Sequence, residues 1–124
     1  MLENDTNLIR ELCDSYRIQL GFYNTLNETV QKILSRLILS RGDLSSLKAD
    51  FAEKQRCIEQ IQLERLKTQR QAKTWQETKA LKGETREALE LDIILGKIEN
   101  TINKFLDGED QLKKHLERIL QKRV

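Results

Sequence analysis

Residues 85–122 read TREALELDIILGKIENTINKFLDGEDQLKKHLERILQK, and large apolar side chains recur in it every three or four positions. Ala88, Leu95, Ile102, Glu109 and Leu116 form one series spaced by heptads. Leu91, Ile98, Phe105, Leu112 and Ile119 form a second series, three residues later. Together they line the a and d seam of an amphipathic helix, and only Glu109 in the seam is polar. The four polar residues Asp107-Gly108-Glu109-Asp110 sit in the middle of this run. The heptad phase is the same on both sides of them, which a loop of arbitrary length would scramble. A continuous or kinked helix is therefore expected there.

The same pattern extends back to the N-terminus. Ile9, Tyr16, Tyr23, Val30 and Leu37 keep the seven-residue spacing, with Leu12, Gln19, Leu26, Ile33 and Ser40 three later. Asp5 or Thr6 is a candidate N-cap. Gly21 lies inside the pattern and is expected to let a neighbouring helix approach closely. At Arg41-Gly42-Asp43 the helix should stop, with Gly42 in the left-handed conformation and Asp43 capping the next helix. Such a short turn forces the second helix back antiparallel.

The second seam begins Leu44, Leu47, Phe51, then Ile58 and Ile61, with Lys54 interrupting. After Ile61 the same positions hold Arg65, Thr68, Ala72, Trp75 and Lys79. Leu63 and Leu66 read as a stutter that shifts the apolar face. Gly83 is the expected C-cap of this helix and Thr85 the N-cap of the third. The reading is an all-α chain, residues 1–124 as one helical domain. Its architecture is an elongated antiparallel up-down-up three-helix bundle with coiled-coil-like packing and helices over about 5–41, 43–80 and 85–122. Each rod would be about 55–60 Å long.

Composition supports this class and excludes others. The 124 residues include 22 basic and 20 acidic ones, no proline and five glycines. A β-sandwich or barrel needs turn residues every 8–12 positions or so, which this chain does not supply. The formal net charge of +2 argues against a nucleic-acid partner, which usually demands a basic excess. Residues 65–82 hold six basic side chains with Trp75 among them, the one stretch with the makings of a phosphate-and-base grip. Neither a signal peptide at Met1–Thr6 nor an apolar run near the roughly 20 residues of a membrane span is read. Cys13 and Cys57 fit packed thiols in a reducing, cytoplasmic setting.

The residues that could carry catalysis or hold a metal are few. His115 is the only histidine. It has no nucleophile at a predictable position, and no zinc-type or EF-hand spacing occurs. No enzyme activity, no cofactor and no metal are expected.

Antiparallel pairing about Gly42 makes residue numbers of facing positions add to about 84. Cys57 then faces Asn27 and Cys13 faces Gln71, too far apart to bridge. The same arithmetic sets the polar half of the second helix beside the apolar starts of the first and third. One end of the bundle is therefore expected to be thinly cored, leaving apolar surface for a partner.

The run Tyr23-x-x-Leu26, Gly42-Asp43-Leu44-x-x-Leu47 and Glu53-Lys54-Gln55-x-x-Ile58-x-x-Ile61-x-Leu63-Glu64-Arg65 resembles the FlgN-type flagellar (type III) export chaperones. The resemblance covers about residues 8–66. It implies a cytoplasmic all-helical chaperone that binds the C-terminal helices of hook–filament junction proteins and keeps them soluble for secretion. In that family the C-terminal amphipathic helix carries client binding. The matching face is Leu91, Leu95, Ile98, Ile102, Phe105, Leu112 and Leu116. The partner expected is thus a protein client held by amphipathic helix packing, with a homodimer as another way to cover the stripe. The alternative is a structural coiled-coil scaffold or tether that assembles helix on helix without a secretion client.

Overall fold

Heptad-spaced apolar residues condense into four helices in a computed structural model that describes residues 3–40, 44–82 and 85–123, with side chains over 7–40, 44–79 and 85–121. The helices are α1 (Glu3–Leu39), α2 (Lys48–Lys67), α3 (Gln69–Lys82) and α4 (Arg86–Arg123), with a 3-10 turn at Ser45–Leu47 before α2. No strand occurs among the described residues, so the all-α class holds. The three expected rods are four helices, because the second is divided at Thr68. Thr85 caps α4, its Oγ1 accepting the Ala88 N–H at 3.2 Å. The helix α1 already contains Asp5 and Thr6, so neither precedes it. The turn positions Gly42, Asp43 and Gly83 lie outside the described residues.

Cross-helix partners give the directions. Arg36 meets Asp50, Ser15 meets Thr68 and Gln71 meets Glu11, so α2 and α3 run back along α1 in the expected register. Arg17 reaches Glu90, Asn27 the Thr101 carbonyl, and Val30 touches Gly108, so α4 runs parallel to α1. The long helix α1, about 55 Å at its 37 residues, packs on both α2 and α4, which approach each other at few points.

The division at Thr68 has a local cause. Thr68 leaves helical geometry at φ −109° and ψ 8°. Its hydroxyl donates back to the Glu64 carbonyl at 3.2 Å, a bond that bends helices. The same oxygen accepts the Ser15 hydroxyl at 3.3 Å, and Ser15 in turn accepts the Gln19 amide N–H at 3.3 Å. All three side chains are buried. The polar seam residues Gln19 and Thr68 thus satisfy each other through Ser15, as buried polar groups must. The expected stutter does not occur. Leu63 and Leu66 are 52% and 66% exposed. The apolar face resumes after the break with Ala72 and Trp75.

Three apolar clusters line α1. The first joins Ile9, Leu12 and Cys13 to Ala88, Leu91, Ile94, Ile98 and Trp75. The middle one is Leu26, Cys57 and Ile61, and the last joins Val30, Ile33, Leu34 and Leu37 to Leu47 and Leu112. The first cluster corrects the expectation of a thinly cored end. Ile9, Leu12 and Leu91 are fully buried there. The stripes of α1 and α4 mate with each other directly, so a polar third neighbour costs little, and Trp75 and Ala72 fill the remaining side.

The helix α4 runs unbroken through Asp107–Asp110, as the heptad phase requires. Gly108 is buried there, and a Cβ on it would meet the Val30 Cγ1 at 3.0 Å. Val30 is β-branched and stiff in a helix, so it cannot rotate away. Gly108 is therefore the close-approach glycine. Gly21, expected in that role, has open space where its Cβ would be, as does Gly96. Gly21→Ala and Gly96→Ala should each stabilise by about 0.5–1 kcal/mol, through helix propensity alone. Gly108→Ala should lose that gain to overpacking, and Gly108→Val should cost about 1–3 kcal/mol. Urea denaturation followed by circular dichroism reads all four. Equal stabilisation at positions 21 and 108 would contradict the packing described.

Candidate functional site

The seven residues expected to bind a partner are shared among the three clusters. Leu91 and Ile98 are core residues of the first cluster, and Leu95 and Ile102 pack against it half-buried. Phe105 is half-buried between the second and third clusters. Leu112 is buried and Leu116 half-buried beside Val30, Ile33 and Leu37. Most of this face is turned towards α1. An amphipathic stripe needs a partner, and α1 of the same chain supplies an equally apolar one.

Leu112 and Leu116 also reach a second environment. Because α2 and α4 meet sparsely, an open groove of about 460 Å3 runs between them. Phe51 and Lys54 of α2 form one wall, and Glu109, Asp110, Leu112, Lys113, Leu116, Glu117 and Leu120 of α4 form the other. Its lining is mostly apolar, and Leu120 in it is 56% exposed. Comparison of the chain with protein-family models, curated sequences and solved structures finds no match.

Two seam-breaking residues fix the groove. Lys54 interrupts the α2 seam and Glu109 is the polar member of the α4 seam, and the structure pairs them in a salt bridge. Both side chains are mostly buried, so each would be costly alone. The pair ties α2 to α4 where the helices otherwise separate. Nearer the first turn, Asp50 is buried between Arg36 at 2.7 Å and Lys32 at 3.5 Å. It anchors the start of α2 to the end of α1 and so sets the position of Phe51. Sequence reading misses both arrangements. A signal for the first exists, since two opposite charges occupy otherwise apolar seams. Asp50 gives none beyond its place at the start of a helix, where an acid is favoured anyway.

The remaining chemistry-bearing groups lie outside the groove walls. Cys13 and Cys57 are free and buried. Burial pushes the Cys13 thiol up, with Glu90 and Asp14 adding to it and Arg17 opposing. Burial also raises Cys57, helped by Glu53, whose Oε1 accepts the thiol at 3.8 Å. Both therefore stay protonated at neutral pH, the unreactive form. Tyr16 is raised by burial, with Arg65 opposing. Trp75 sits in the first cluster rather than being held out for base stacking. Among the described residues no group of three or more His, Cys, Asp or Glu could hold a metal ion. No helix there is long and apolar enough to cross a membrane.

Proposed function

We propose that this chain is a cytoplasmic, non-enzymatic helix-binding chaperone of the flagellar export kind. It takes the amphipathic C-terminal helix of a hook–filament junction protein into the α2–α4 groove. The observation that carries the reading is the groove itself, with Phe51, Leu112, Leu116 and Leu120 in its lining. Lys113, Asp110 and Glu117 add charges of both signs to its lining, and the Lys54–Glu109 pair joins its two walls. Such a trough fits a helix that is apolar on one face and charged with both signs on its flanks. In this reading α1, the divided second rod and α4 form an elongated up-down-up bundle. The client is the fourth rod, completing the packing that a four-helix bundle makes around one core. The resemblance over residues 8–66 supplies the client class, and the groove supplies a place for it.

The second reading is a scaffold that assembles helix on helix. It draws on Leu63 and Leu66, exposed one turn apart on α2, and on Leu89 and Ile93, exposed one turn apart on α4. One titration separates the two. A fluorescent C-terminal peptide of a junction protein is added to the purified chain, and light scattering gives the mass before and after. The chaperone reading expects a monomer or weak dimer that forms a one-to-one complex and gains helicity. An obligate oligomer indifferent to the peptide would overturn it in favour of the scaffold.

A further inference from the structure

We propose that α3 is a strap that melts and lifts as a unit, hinged at Thr68, and that its lifting uncovers the apolar cluster between α1 and α4. The cluster is built almost entirely by those two helices, through Ile9, Leu12, Ala88, Leu91, Ile94 and Ile98. Among its described side chains, the strap adds to it Trp75, buried, and Ala72, half-buried. Its other described side chains are exposed or half-buried and polar. Those of Thr74 and Thr78 are turned to carbonyls of their own helix stretch. Among the described residues, one exposed bond, from Gln71 Nε2 to Glu11 at 3.4 Å, links α3 to α1. Elements with few buried apolar contacts and solvent-exposed backbone open at lower free energy than the core they cover.

The chain already departs from the helix at the hinge. Thr68 breaks the ladder between α2 and α3, and its hydroxyl stays fastened to Ser15 and Glu64. Opening can therefore stop at Thr68 without disturbing α2. A strap attached at both ends must lengthen to lift. Melting does this, because a residue spans about 1.5 Å in a helix and up to about 3.3–3.6 Å when extended. The uncovered face includes Leu91 and Ile98, continuing along α4 from the groove. That a client helix uses this face rests on the function proposed above; the lifting of the strap does not.

The test needs no client. Amide hydrogen exchange of the whole native chain should show α3 at least tenfold less protected than residues 9–16 of α1 and 88–98 of α4. Cys13, on α1, lies in the uncovered cluster, while Cys57, on α2, lies in the middle one. Native alkylation by iodoacetamide, scaled to each thiol's rate in the unfolded chain, should run at least tenfold faster at Cys13. Trp75→Ala should speed Cys13 at least tenfold further and leave Cys57 unchanged. Protection of α3 equal to that of α1, or equal scaled rates at the two thiols with the same urea dependence, would overturn the strap. Either result would leave the groove proposal standing. Conversely, a chain whose α3 opens but which fails to bind the junction peptide would keep the strap and lose the groove proposal.

Discussion

Ile98→Asp is expected to unfold the first cluster, at a cost of about 3–5 kcal/mol. Ile98 is 7% exposed and belongs, with Leu91 and Ile94, to the buried apolar first cluster, where an introduced carboxylate would lose its water. The carboxylate would either be ionised away from water or hold its proton, and each choice penalises the folded state. Ile93 lies little more than one turn away on the same helix and is 59% exposed. Ile93→Asp should change stability by no more than about 0.5 kcal/mol. Urea titration by circular dichroism measures both. If the two variants unfolded at the same midpoint, α4 would not be seated on α1 as described. The contrast also governs how binding is to be tested. A substitution at Leu91 or Ile98 that abolishes client capture reports on folding first, and cannot assign those residues a binding role.

The contrast between Ile98 and Ile93 shows what the amino-acid order makes legible. Heptad spacing locates the buried stripe of α4 and the continuity of that helix through Gly108, and pairing about Gly42 gives the approximate register of α1 with the second rod. Neither says what the stripe is buried against. A stripe has the same spacing whether it meets α1 of its own chain or a helix of another. The expectation of a thinly cored end fails for this reason, since counting apolar residues on the second helix ignores direct mating of α1 with α4. The glycines mislead in a similar way: Gly21 and Gly108 look alike in sequence, and only the position of Val30 distinguishes them. The break at Thr68 is out of reach because a threonine in a helix is ordinary until a second hydroxyl, from Ser15, is brought to it across the helix pair. Lys54 and Glu109 each look like a flaw in a seam. As a pair they are a device that holds two helices together while leaving a trough beside them.

Leu120→Asp should weaken binding of the junction peptide about 30-fold or more while leaving the fold intact. Leu120 is the exposed apolar member of the groove lining, so the fold loses almost no burial when it becomes polar. A docked client helix would bury it, and charging an apolar anchor that a partner buries typically costs about 2–4 kcal/mol of binding, or roughly 30- to 1000-fold in Kd. The proper control is Leu39→Asp, at the end of α1 and outside the groove walls, and more exposed still. It removes as much surface hydrophobicity without touching the site. Fluorescence anisotropy of the labelled peptide reads both variants, and circular dichroism confirms that each is folded. Loss of affinity at position 120 alone places the client between α2 and α4. Equal losses at 120 and 39 would mean that capture is diffuse hydrophobic adhesion. Unchanged affinity at both would move the client off this groove altogether, onto whatever surface the chain presents once α3 has lifted.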